Sequence, residues 1–152
     1  MIFTIVTIVL VVIDQITKYL SVGSLKGASS VVLIDKLLSL TYVENRGAAF
    51  GILQNARWIF ITFTFIAIIF IIYYKIKYKP QSITLNSALC LITSGAIGNL
   101  IDRVGRGYVV DMIEVTFINY PVFNIADCFV VTGAILLSIY VLFIYKENKE
   151  NE

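Results

Sequence analysis

Residues 56–74 read ARWIFITFTFIAIIFIIYY, an apolar run in which Arg57 is the one charged residue. At a rise of about 1.5 Å per residue, a helix of this length crosses a hydrocarbon core of about 30 Å. Three further apolar stretches of similar length lie at about 2–20, 84–101 and 127–145. The sequence therefore predicts a mainly α membrane protein with four transmembrane helices in one integral membrane domain.

The composition of the chain agrees with this prediction. Hydrophobic residues make up 59% of the 152 residues and charged residues 14%, whereas a soluble domain is about 45–50% apolar and about 25% charged. These proportions indicate that lipid is the main solvent. The net charge of +2 supplies no strongly basic field of the kind that binds nucleic acid, so we expect no nucleic-acid partner.

The histidine and cysteine content limits the kinds of catalytic and metal site that the chain can form. The chain has no histidine, which excludes Ser-His and Cys-His nucleophile systems and any zinc site built on imidazole. Cys90 and Cys128 lie in apolar runs, where buried and inert thiols are expected rather than a disulfide. We expect neither a metal nor a cofactor.

Three connections separate the predicted helices, and they differ in kind. The connection at about 75–83 is short, basic and closed by Pro80. The other two, at about 21–55 and 102–126, are longer and contain runs rich in β-formers. These runs lie at 31–34, 37–43 and 108–113. Because both long connections leave the same face of a four-helix bundle, we expect them to form a small β-rich cap there.

The orientation of the helices follows less directly from the lysines and arginines. With both termini inside, five basic residues lie on the inner face and six on the outer, which is no decision by the positive-inside rule. The dense lysines of the 75–83 loop favour termini on the inside.

Asp14 and Lys18 interrupt the first apolar run and no clear cleavage site follows it, so we expect this helix to be retained.

Several charged or amide side chains fall at the predicted helix ends, where each has two interpretations. Asp14 and Lys18 are spaced i, i+4 and share a helix face. They either form a neutralised pair that extends to the membrane interface or position the neighbouring loops or the substrate. Asp102 and Arg103 either anchor the third helix at the interface or, with Asn99, support a nearby site.

Two acids are the candidate catalytic residues. Asp111 lies in the apolar run 109–113, where an unpaired carboxylate is costly, and Asp127 lies at the start of the fourth helix. Asp127 could instead complement the helix dipole, and Asn124 could be only its cap. A proton-relay transporter and a structural subunit are the alternatives to an enzyme, although no internal repeat and the clustering of the acids at one face argue against transport.

Four blocks of sequence carry a resemblance to a known family. They are Asp14-Gln-Ile-Thr-Lys18; Asn45-Arg-Gly-Ala-Ala-Phe-Gly51; Gly98-Asn-Leu-Ile-Asp-Arg103 with Gly107-Tyr-Val-Val-Asp111; and Phe123-Asn-Ile-Ala-Asp127. In this order around four apolar stretches, the chain resembles lipoprotein signal peptidase, also called signal peptidase II. Met112 and Cys128 depart from the usual family pattern, but neither replaces a polar motif residue.

The resemblance implies a function and a topology. It implies a bacterial plasma-membrane aspartyl peptidase with both termini in the cytoplasm and an active site and β-cradle near the outer surface. Its substrates would be prolipoproteins carrying diacylglycerol on the lipobox cysteine, cut just before that cysteine, and we expect the enzyme to act as a monomer among membrane lipids. Asp111 and Asp127 match the catalytic aspartates. The supporting positions match Asp14, Lys18, Asn45, Gly47, Asn99, Asp102, Arg103 and Asn124.

Overall fold

Four long helices and a small antiparallel sheet make up the fold. A computed structural model describes residues 1–47 and 52–145. Its elements are α1 (Ile2–Leu25), β1 (Val31–Ile34), β2 (Leu38–Asn45), α2 (Arg57–Tyr78), α3 (Ile83–Gly105), β3 (Val109–Val115) and α4 (Ile125–Ile139), which continues as a π-helical turn, Tyr140–Ile144. All four helices, α4 with its π-helical turn, are long and apolar enough to cross a membrane. The predicted fold class, four membrane helices with a small sheet, is confirmed.

The helices extend beyond the ends of the apolar stretches. Helix α1 continues to Leu25 because its polar residues remain compatible with helix: the Ser21 hydroxyl donates to the Thr17 carbonyl oxygen at 2.8 Å. Leu25 then packs against Val110 and Met112 beneath the sheet. A helix ends where the backbone turns away, and here Gly27 adopts a φ of +80°, which glycine accepts readily. Hydropathy alone places that end too early.

The sheet brings the two long connections together. Its strand order is β1-β2-β3, with both pairs antiparallel. Val43 lies opposite Asp111, and Asn45 lies opposite Val109. Because side chains two residues apart on a strand share a face, Asn45 is on the same face as Asp111. A further bridge between Ile113 and Phe123 ties β3 to the segment that begins α4.

Helix α3 is the central helix of the bundle. Half of its most apolar window is buried (50%), compared with 11% for α2 and 6% for α4. Helix α4 approaches α3 closely at Gly95, where an added Cβ would collide with the Ala126 carbonyl oxygen. Small residues permit such backbone contacts between membrane helices. Exposed apolar side chains on the outer helices, such as Phe63 and Phe70, face the region that lipid would occupy.

Both cysteines are free thiols. Cys90 is buried in the bundle, and its sulfur lies 3.3 Å from the Thr7 hydroxyl. Cys128 is partly buried near the start of α4. Cys128 is thus less buried than the sequence predicts.

Candidate active site

The Asp111 carboxylate is held by two asparagine side chains from different elements. Asn45, at the end of β2, donates its Nδ2 to Asp111 Oδ2 at 2.9 Å. Asn124, at the start of α4, donates its Nδ2 to Asp111 Oδ1 at 2.6 Å. Asp111 is 1% exposed. The sheet register and the bridge from β3 to the start of α4 therefore place the Asp111 carboxylate beneath the sheet, with both of its oxygens accepting hydrogen bonds.

Asn124 also fixes Asp127. Its Oδ1 accepts the Asp127 backbone N–H at 2.9 Å, and Asp127 Oδ2 accepts the Asn124 backbone N–H at 3.2 Å. This reciprocal arrangement is a capping box, which satisfies two backbone donors of the first turn of α4. Asn124 therefore caps α4 as predicted, but it is not only a cap, because the same side chain also bonds Asp111. One residue links the two candidate catalytic carboxylates.

Lys18 is a buried ammonium between two other carboxylates. Its Nζ lies 3.0 Å from Asp14 Oδ2 and 3.1 Å from Asp102 Oδ2. All three side chains are at most 1% exposed. The alternative in which Asp14 and Lys18 extend toward the membrane interface is therefore wrong. Helix packing encloses them because α1 lies directly against α3.

Asn99 connects this ion cluster to the candidate pair. Its Oδ1 accepts from Lys18 Nζ at 2.8 Å, and its Nδ2 donates to Asp127 Oδ1 at 2.8 Å. An ammonium has only donors, so the Asn99 oxygen must face Lys18 and its amino group must face Asp127. Lys18 thereby fixes the direction in which Asn99 donates.

Asp14 fastens the beginning of α4 to α1. Its Oδ1 accepts the backbone N–H of Ala126 at 3.0 Å, one residue before Asp127. Gly98 on α3 leaves room for this carboxylate, because an added Cβ at Gly98 would collide with Asp14 Oδ2. The glycine of the third sequence block is thus required by close packing against a charged group.

Asp102 binds the segment that leads into β3. Its Oδ2 accepts the backbone N–H of Val110, and its Oδ1 accepts from Arg106 Nη1, both at 3.2 Å. The predicted alternative of an Asp102–Arg103 interface anchor is wrong, because Asp102 pairs with Lys18 and Arg106 instead. Asp102 therefore holds the residue next to Asp111 in position.

Arg103 points toward the turn after β2. Its Nη2 donates to the Gly47 carbonyl oxygen at 3.3 Å, and its guanidinium lies 4.7 Å from the centre of the Phe60 ring. The Gly47 N–H donates to Asn45 Oδ1 at 2.9 Å. Arg103 and Gly47 thus orient Asn45, which contacts Asp111. The rest of the second sequence block, 48–51, lies outside the described residues.

The environment of Asp111 changes its acidity. Its pKa is raised to about 6, chiefly because burial penalises the charged form and then because the negative charge of Asp127 lies nearby. Hydrogen bonds from Asn45 and Asn124 and the charge of Lys18 lower the pKa and offset part of this effect. A carboxyl with a pKa near neutrality can hold or release a proton at physiological pH.

The structure brings the predicted site residues into one connected network and adds three contributors that sequence reasoning missed. Arg106 lies i, i+4 from Asp102, a spacing that could have been recognised. Gln15 donates to Asp14 and to the Gly98 carbonyl oxygen, and the Ala126 backbone N–H carries no sequence signal. Within residues 1–47 and 52–145, no group of three His, Cys, Asp or Glu side chains is placed to hold a metal ion.

Comparisons with known proteins agree with this architecture. The family profile described as Signal peptidase (SPase) II matches residues 6–143. A lipoprotein signal peptidase from Clostridioides difficile (strain 630) is 44% identical over 149 residues, which cover 98% of this chain and 100% of that protein.

Two solved structures, both of bacterial membrane enzymes determined by the in meso method, superpose closely. The first has a TM-score of 0.87 at 34% identity and covers 99% of this chain and 92% of its own. The second has a TM-score of 0.84 at 36% identity, with 93% and 92% covered. With a full-length relative and a matching profile, the chain belongs to the signal peptidase II family.

Proposed function

We propose that the chain is an aspartyl endopeptidase that removes the signal peptide from diacylglyceryl-modified prolipoproteins, cutting just before the lipidated cysteine. Family membership supports peptide cleavage in lipoprotein maturation. The observation that carries the catalytic assignment is that Asn124 contacts both Asp111 and Asp127. These two carboxyl groups are the catalytic pair of the proposal.

The chemistry follows from placing two carboxyl groups close together in a site of low dielectric. Both cannot ionise cheaply, so the pair titrates as a unit that holds one proton near neutral pH. The ionised carboxylate removes a proton from water as the water oxygen attacks the scissile carbonyl carbon. The protonated carboxyl donates its proton to the carbonyl oxygen. The resulting diol collapses when a proton reaches the leaving nitrogen, and no acyl-enzyme forms.

The difference in residue burial between Asp111 and Asp127 supports a direction of access. Asp127 is partly exposed, whereas Asp111 is buried. A substrate peptide and its attacking water would therefore approach from the Asp127 side. Asn45 and Asn99 each donate to one of the two carboxylates, and we assign them the role of fixing the carboxylate orientations while the substrate binds.

The ion cluster beneath the pair has a separate role in the proposal. Asp14, Lys18, Asp102 and Arg106 carry two positive and two negative charges in contact, so the cluster is neutral as a whole. It holds Asn99 and the start of α4. Arg103 supplies a positive charge on the side of the turn after β2.

The membrane setting suits a lipidated substrate. A signal peptide is itself an apolar helix that can lie against the exposed helix faces, and the acyl chains can remain in lipid. Because those chains are already in the bilayer, the diacylglyceryl group acts mainly as a positioning constraint on the cysteine. We place the sheet and catalytic pair at the outer surface and both termini in the cytoplasm.

The test is cleavage of a diacylglyceryl-modified prolipoprotein by purified variants. Asp111→Asn and Asp127→Asn should each abolish cleavage, whereas Asp35→Asn, a matched change in an exposed turn of the sheet, should retain it. Mass spectrometry of the product should show a new N-terminal cysteine that carries the lipid. Full cleavage by either folded active-site variant would refute the assignment, and equal cleavage of an unlipidated precursor would refute the substrate class.

The proposed topology has an independent test. A reporter that fluoresces only when it folds in the cytoplasm, fused after residue 152, should be bright. The same reporter inserted at the exposed turn around Asp35 should be dark. The reverse pattern would show that the sheet and the catalytic pair face the cytoplasm.

A further inference from the structure

A groove opens at the end of the bundle opposite the sheet. It lies between the beginning of α1, the end of α2 and the beginning of α3, and its volume is about 830 Å³. Most of its lining is apolar, and Lys75, Asn86 and Ser87 supply polar groups. None of these residues belongs to the network around Asp111 and Asp127.

The dimensions of the groove match one leaflet. Its lining runs from residue 1 to 10 on α1 and from 83 to 91 on α3, which corresponds to about 12–14 Å along a helix. Half of a hydrocarbon core of about 30 Å is about 15 Å. A single acyl chain that enters from this end would therefore be covered over most of the depth of its leaflet.

Lys75 is held at the groove by two neighbours. Its ammonium donates to the Asn86 side-chain oxygen and lies 4.4 Å from the centre of the Phe3 ring. The Asn86 amino group donates to the Pro80 and Ser82 carbonyl oxygens, so its oxygen is directed toward the lysine. An ammonium has three donors, and such a fixed cation beside an apolar groove suits an anionic headgroup.

The described charges around the groove have one sign. Within residues 1–47 and 52–145, this end of the bundle carries Lys75, Lys77 and Lys79, and every described Asp or Glu lies elsewhere. A cationic signal-sequence terminus would be repelled, whereas an anionic lipid would be attracted. We propose that this groove binds one anionic glycerophospholipid from the membrane, with an acyl chain along α1 and α3 and its phosphate at Lys75.

The experiment measures lipid binding to the full chain, without reference to peptidase activity. Delipidated protein in neutral detergent is titrated with phosphatidylglycerol or phosphatidylcholine of identical acyl chains, and bound lipid is counted by native mass spectrometry. One phosphatidylglycerol should bind about fivefold more tightly than phosphatidylcholine, the preference that one lysine near an anionic headgroup provides.

Two variants with matched controls locate the site. Lys75→Gln should remove the fivefold preference, while Lys36→Gln, at an exposed turn of the sheet, should keep it. Ser87→Trp should weaken binding of both lipids by filling the groove, while Ser138→Trp on the exposed face of α4 should not. Thermal unfolding of each variant establishes that it is folded.

Three results would overturn the proposal. They are equal binding of the two lipids, a preference that survives Lys75→Gln, and displacement of the lipid by a cationic signal peptide that binds more tightly. The last result would assign the groove to the peptide. Because no outcome depends on proteolysis, failure here leaves the catalytic proposal intact, and loss of the catalytic proposal leaves this one intact.

Discussion

Asn124 performs two functions that one substitution can separate. Its Oδ1 caps α4, and its Nδ2 donates to Asp111. Serine is about as good a cap as asparagine, but its hydroxyl is too short to reach Asp111 while it caps the helix. Asn124→Ser should therefore keep the cap and lose the bond to the carboxylate, whereas Asn124→Ala should lose both.

The expected losses of stability and of kcat/KM follow from these two contacts. Loss of an N-cap costs about 1 kcal/mol of stability, so Asn124→Ala should be less stable than Asn124→Ser by about that amount. A hydrogen bond to a charged acceptor contributes about 1.5–3 kcal/mol. If that bond positions Asp111 for reaction, both variants should lose about 10- to 150-fold in kcat/KM.

Loss of the Asn124–Asp111 hydrogen bond should also change the pH dependence of kcat/KM. The Asn124 bond lowers the pKa of Asp111, which stands at about 6 in the intact site. Removing the bond should raise that pKa, so any limb of the pH–rate profile that reports deprotonation of the pair should move to higher pH. A role confined to folding would lower the amount of active enzyme without moving the profile.

Cleavage of a diacylglyceryl-modified prolipoprotein across a pH series, together with thermal unfolding in the same detergent, measures both effects. Ser82→Ala is the matched control, because Ser82 caps α3 far from the carboxylates and should affect stability alone. Wild-type kcat/KM and an unshifted profile in Asn124→Ser would refute the argument that this side chain orients Asp111.

Three further predictions concern stability. Lys18→Met should destabilise the protein by about 3–5 kcal/mol, because it leaves two buried carboxylates without their shared cation; the idea fails if thermal unfolding resembles that of the exposed control Lys36→Met. The pKa of Asp111 is raised from 3.8 to about 6, so its contribution to stability is present below about pH 4 and is lost as pH rises through about 6. At about pH 8, Asp111→Asn should therefore have a free energy of unfolding higher than that of wild type by up to about 3 kcal/mol, and it should melt at a higher temperature. The difference should vanish below about pH 4, and a difference that is constant across that range would contradict this account. Gly98→Ala should cost about 1–3 kcal/mol through overpacking, whereas Gly23→Ala, with open space around it, should be neutral or slightly stabilising in the same melt.

The sequence predicted the helices and strands well where a local pattern was sufficient. The apolar run 56–74 lies within α2 apart from its first residue, and the β-rich run at 31–34 coincides with β1. Hydropathy marks where lipid contact stops, while backbone geometry marks where a helix stops. The two differ at Leu25 and Gly105, because polar residues there remain helical until a glycine or turn allows the chain to leave.

The partners of the charged residues were predicted less well. The sequence offered Asp102 and its neighbour Arg103 together as an anchor of the third helix at the interface, but Asp102 contacts Lys18, which is 84 residues earlier in the chain. Adjacent residues on a helix point in different directions, so adjacency is a poor guide to pairing. Which cation reaches Asp102 depends on the packing of α1 against α3, and no local pattern encodes that packing.

By itself, the sequence determined that lipid surrounds the helices, how many membrane helices there are, and which few acids lie in apolar segments where burial of a charge costs too much free energy without a role. These follow from composition and from transfer free energies, which are properties of individual residues and of windows. Only the tertiary structure decided that one asparagine links Asp111 to Asp127 and that Lys18 fixes the direction of Asn99. These contacts join β3 to the start of α4 and α1 to α3, so they exist only once the bundle and the sheet have packed.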